Sequence, residues 1–106
     1  MWKVQDSSIF MTEGDYGIAL PVTVSGATLG AADSIKFTFK SFMNGEAILE
    51  KVYDSPVQNT VNLEFTASDS AKFRVGKYIY SMDWYQNGSF LCNIIPVGVF
   101  KVVDKA

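Results

Sequence analysis

Gly76-Lys77-Tyr78-Ile79-Tyr80-Ser81-Met82-Asp83-Trp84 is the stretch on which the fold turns. Tyr78, Tyr80, Met82 and Trp84 alternate with Lys77, Ser81 and Asp83, and only Ile79 breaks the pattern. Side chains on a strand alternate between faces, so the stretch predicts a strand with a heavy aromatic face turned inward. Whether Trp84 is core or surface rests on that single alternation. Gly76 on one side and Asn87-Gly88 on the other supply turn residues that bracket the strand.

Working outward, the same period recurs along the chain. Ile9 and Met11 share one face of a first strand, against Ser8, Phe10 and Thr12, and Glu13-Gly14-Asp15 makes a turn. Ile18, Leu20, Val22 and Val24 alternate in a second strand, and Pro21, which has no N–H to donate, places it at an edge or a bulge. Residues 25–32 read as a loop tethered to the core by Leu29. Ile35, Phe37 and Phe39, with Ser41 continuing the register, then face inward, against Lys36, Thr38 and Lys40.

Asn44-Gly45 signals a hairpin, because both residues tolerate positive φ. The returning strand, 46–53, carries Ile48 and Val52 among Glu50 and Lys51, and its face is less clear; Lys40 with Glu50 or Lys51 offers a cross-strand charge pair. Val61, Leu63 and Phe65 give another one-faced strand. Ser68 is a candidate cap for a single helical turn that brings Ala71 and Phe73 onto the core. Past Asn87-Gly88, Phe90, Cys92 and Ile94 share a face. Pro96 interrupts, and 97–103 form a last strand. The expectation is one domain, residues 1–106, folded as an all-β, immunoglobulin-like antiparallel β-sandwich of seven to eight strands with one short helical turn.

Composition sets the outer limits. At 106 residues, 48% of them hydrophobic and 19% charged, the chain can bury a core of its own. Its net charge of −2 comes without a basic cluster, which argues against nucleic acid as a partner. No apolar run suggests a signal peptide or a membrane span, so synthesis in the cytoplasm without a leader is the expectation. The single cysteine, Cys92, reads as a small hydrophobe in a strand.

A chain without histidine lacks the commonest general base and metal ligand, so Ser–His and Cys–His nucleophile pairs are ruled out. There is no phosphate loop and no zinc-spaced cysteine pair. The acids at Glu13 and Asp15 sit in a turn. Neither an enzyme nor a bound cofactor or metal is expected. Aromatic and apolar residues near tips and termini are the better lead: Trp2, Phe42, Met43 and Tyr85, the last on the face opposite Trp84. Such side chains stack on sugars, anchor a protein partner, or cap the open ends of a sandwich.

The order of these features resembles the small β-sandwich domains at the N-terminus of phage upper baseplate proteins and related tail proteins of Gram-positive bacteria. The pieces are the Gly14-Asp15 turn, Ile18-Ala19-Leu20-Pro21-Val22-Thr23-Val24, Ala32-Asp33-Ser34-Ile35-Lys36-Phe37-Thr38-Phe39-Lys40 and Ile48-Leu49-Glu50-Lys51. Val61-Asn62-Leu63-Glu64-Phe65-Thr66, Ser68-Asp69-Ser70-Ala71-Lys72-Phe73, Gly76-Lys77-Tyr78-Ile79-Tyr80 and Gly98-Val99-Phe100-Lys101-Val102 complete it. The resemblance implies a non-enzymatic virion or prophage protein of the tail or baseplate that binds copies of itself and other tail proteins. It carries no catalytic residues. Pro21 and the Lys36/Lys40 row read as blunting of sheet edges, so docking through faces and loops is expected ahead of strand addition. The alternatives are a carbohydrate-binding module, taking a cell-surface glycan on Tyr85, Trp2 or Trp84, and an immunoglobulin-like bacterial surface domain.

Overall fold

A computed structural model describes residues 8–17, 19–24, 29–42, 45–54, 56 and 59–104, and the backbone alone of residues 2–5 and of Pro96. Within them eight strands and one helical turn follow in order: β1 (Trp2–Gln5), β2 (Ser8–Thr12), β3 (Leu20–Thr23), β4 (Asp33–Lys40), β5 (Ala47–Asp54), β6 (Thr60–Leu63), α1 (Ala67–Ser70), β7 (Gly76–Gln86) and β8 (Ser89–Val103). Six strands form one sheet in the order β1-β2-β8-β7-β4-β5, and β3 and β6 form a two-stranded ribbon. The architecture is all-β and sandwich-like. Among the described residues no helix is long and apolar enough to cross a membrane.

The alternation at 76–84 makes β7 a central strand, paired antiparallel with β4 on one side and β8 on the other. Its inward face buries Tyr80 and Met82 fully and Tyr78 and Trp84 in part. Ile35, Phe37 and Phe39 of β4 continue that face, and Val61, Leu63 and Phe65 close over it from the ribbon side. Phe39 lies at the centre, with ring centroids 5.0 Å from Phe100, 5.4 Å from Phe65 and 5.8 Å from Phe73. Most of these contacts are edge-on, the arrangement that ring quadrupoles favour. Leu29 is buried as a tether should be, and its N–H donates to Asn59 Oδ1 at 2.7 Å.

Several details depart from the sequence reading. β2 runs parallel to β8, so one ladder of the sheet is not antiparallel. Residues 2–5 form an edge strand that the polar N-terminal stretch did not announce. On β5 Leu49, Lys51 and Tyr53 face inward and Val52 is exposed; Leu49 stands opposite Phe39, next to an irregularity at Phe39/Lys40 where Ile48 also packs in part against the core. Ser41 is exposed. Thr66, not Ser68, caps α1: its hydroxyl accepts from Asp69 N–H, and the Asp69 carboxylate accepts from Thr66 N–H. Ala71 faces solvent while Phe73 is buried.

Pro96 does not end a strand. β8 runs through it, and the register jump between Tyr80↔Gly98 and Met82↔Ile95 sets Pro96 and Val97 against Ser81 alone. A bulge of this kind is one of the few places where a proline fits inside a sheet. Cys92 is exposed. Pro21 does lie on an edge, in the ribbon opposite Asn62. Lys36 and Lys40 do not, because β4 is flanked on both sides.

Candidate functional site

The ribbon and α1 cover one face of the six-stranded sheet. The register fixes what stands on the other. Asp54, Ser34, Tyr85 and Phe90 form one row across β5, β4, β7 and β8; Val52, Lys36, Asp83 and Asn93 form the next. No described side chain of this outer face is fully buried.

The first row depends on the β7–β8 turn. Asn87 and Gly88 both take positive φ, 51° and 78°, as a two-residue hairpin loop of the primed type requires. Such a loop pairs Gln86 with Ser89 and Tyr85 with Phe90. The two rings meet edge to face, with centroids 5.8 Å apart and planes at 79°. Tyr85 is half-buried and Phe90 is 54% exposed, so together they present an apolar step to solvent.

Val52 apart, the second row is polar, with Lys36 paired to Glu50 of the neighbouring row and Asp83 to Asn93 within it. Lys36 Nζ lies 2.5 Å from Glu50 Oε2, and this hydrogen bond is the main reason the lysine is held above its ordinary pKa, against the opposing effect of burial. Asn93 Nδ2 donates to Asp83 Oδ1. The charge pair foreseen for Lys40 is therefore made by Lys36, because Lys40 stands opposite Ala47. Between the rows a shallow cavity of about 160 Å³ is lined by Ser34, Lys36, Val52, Tyr85 and Gly88. It brings together an aromatic ring, a hydroxyl and an ammonium.

The residues singled out from the sequence are not gathered in one place. Tyr85 lies at this cavity, close to the turn as expected. Phe42 is 64% exposed but follows the far end of β4, which ends at Lys40, about 20 Å along the strand from Ser34. Trp2 lies on β1, the opposite edge of the sheet, where it pairs with Met11. Met43 falls outside the described residues. Phe90 was missed as Tyr85's partner, since apolar counting aligned it with Cys92 and Ile94; the two-residue turn already implied the pairing.

Trp84 belongs to the inner face at the same end of the sheet. It is half-buried, and its indole N–H donates to Asp33 Oδ1 at 2.9 Å. Asp33 Oδ2 accepts from Gly30 N–H at 2.7 Å. Asp33 is 5% exposed, and these bonds, the indole's first, hold its carboxyl below the ordinary value of 3.8. The network closes the end of the core and pins the loop before β4, which is a structural task.

Compared with known proteins, the chain matches no family model, and no curated protein and no solved structure is significantly similar to it.

Proposed function

We propose that this chain is a non-enzymatic structural protein of a phage or prophage tail, of the baseplate type, that self-associates and docks other tail proteins in the virion. The motif order set out above suggests the class, and the absence of histidine speaks against common nucleophile–base chemistry. The observation that carries the self-association is the uncovered sheet face. Its middle holds an apolar group: Ile79 and Val99 are cross-strand partners and Val97 is 48% exposed beside them, while Phe10 on β2 stands in the next row, opposite Lys101. A face of six strands at about 4.8 Å spacing and eight residues at about 3.3 Å offers roughly 600 Å². Two copies placed face to face would bury about 1,200 Å², the lower bound of a specific interface.

The test is the solution mass over a wide concentration range, by size-exclusion chromatography with light scattering. The expected result is a discrete oligomer that survives dilution and becomes a monomer on Val97→Asp, which sets a charge in the middle of the interface. A monomer at every concentration would overturn the self-association. For the tail role, antibody labelling of particles made by the encoding genome should mark the tail, and labelled capsids or unlabelled particles would sink it.

A further inference from the structure

From the two rows at the β7–β8 end of the outer face, we infer a binding site for a neutral saccharide, with the Tyr85–Phe90 step as its stacking platform. A sugar ring has an apolar C–H face and a rim of hydroxyls that both donate and accept. The site has the matching parts in the matching order. The edge-to-face contact at 5.8 Å holds the Tyr85 ring in place, so little conformational freedom is lost when a ligand stacks on it. Two residues along β7, on the same face, lies the polar row. There Lys36 donates, Asp83 accepts, Asn93 does both, and the Ser34 hydroxyl opens into the cavity from the aromatic row.

Charge selects the class of ligand. Lys36 is paired with Glu50, and Asp83 stands opposite Lys36 on the adjacent strand, so the polar row offers no net positive charge. A phosphate or sulfate group would meet two carboxylates for one ammonium, and a cation would meet Lys36 at the cavity wall. A neutral polyol meets neither penalty, and its hydroxyls can join a row whose donors and acceptors are already oriented by each other. The cavity of about 160 Å³ has room for one sugar ring, with further units lying over the open sheet.

The site shares the outer face with the proposed assembly surface: Val97 stands opposite Ser81, four residues or about 13 Å along β7 from Tyr85, so a face-to-face pair would cover it and the titration is made on the Val97→Asp protein. The test is a titration of the ¹⁵N-labelled protein with cellotriose, chitotriose and galactobiose, with inorganic phosphate as the anionic control. At least one of the three sugars should move the amide signals of Ser34, Lys36, Asp83, Tyr85 and Phe90 saturably, and phosphate should not. Tyr85→Ala should weaken that binding about tenfold. Asp83→Ala, a change on the solvent face that leaves the core intact, should weaken it severalfold, and Phe42→Ala should leave it unchanged. The proposal fails if none of the three sugars moves these signals, if phosphate moves them equally, or if binding survives both Tyr85→Ala and Asp83→Ala.

Discussion

Asp33 is an acid in a place where acids are rare, and its partners decide its behaviour. A buried carboxylate is tolerated only when its oxygens are hydrogen-bonded, and here Oδ1 takes the Trp84 indole N–H and Oδ2 the Gly30 amide. Because the folded-state pKa is lowered, the folded chain takes up this proton less readily than the unfolded chain. Its contribution to stability is therefore complete above the unfolded value near 3.8 and is lost as the pH falls through the lower folded value. Asp33→Asn should remove that contribution and flatten the acid limb of urea midpoints measured between about pH 5 and pH 2. A slope from Asp69 remains: burial pushes its carboxyl up, but hydrogen bonds from Lys51 and Thr66 hold it below the ordinary value. Trp84→Phe keeps an aromatic side chain of smaller size and removes the donor, and loss of that bond should cost about 1–2 kcal/mol in a urea titration. In an Asp33→Asn background that cost should shrink, since the donor no longer answers a charge.

At the scale of elements, α1 shows how a four-residue helix is held in place. A helix this short does not persist on its own, because nucleation costs more than one turn of hydrogen bonds returns. Thr66 and Asp69 form a reciprocal capping box, and Lys51 Nζ, reaching from β5, lies 2.7 Å from Asp69 Oδ2. Thr66→Ala should lower stability by about 1 kcal/mol. It should also release the amides of 67–73 to faster hydrogen exchange while those of β4 and β7 stay protected; uniform loss of protection would refute this local role. The same contact explains why β5 was hard to read. Lys51 is inward-facing, its charge met by an acid eighteen residues away, so hydrophobic alternation favours the wrong parity. β4 and β7 were legible because each is flanked on both sides and covered on one face, the condition under which alternation is clean. The Pro96 bulge and the parallel β2–β8 pairing were not: the first depends on a register shift within the β7–β8 hairpin, the second on a partner strand remote in sequence. At the candidate site Tyr85 and its turn could be read locally, whereas Lys36, Asp83 and Asn93 become neighbours only once three strands are in register.

For the molecule as a whole, two phenylalanines three positions apart separate what stabilises the fold from what it displays. Phe39 is fully buried and touches Phe65, Phe73, Tyr80 and Phe100, so it joins the ribbon, the segment after α1, β7 and β8. Removing its ring leaves a cavity that four rigid neighbours on separate elements cannot collapse into, and Phe39→Ala should cost about 3–5 kcal/mol. A domain of this size has about 5–15 kcal/mol in total, so the variant should lie near the limit of folding. Phe42 is 64% exposed, and Phe42→Ala should shift stability by no more than about 0.5 kcal/mol. Urea titrations of the two variants check both numbers, with an unchanged slope showing that the native state remains equally compact. A large loss on Phe42→Ala would mean that its ring is covered in solution, which in a single-chain sample requires a second copy seated at that end of the sheet. Repeating the titration at lower protein concentration would then separate the two causes, because only an effect that depends on a second copy changes with dilution.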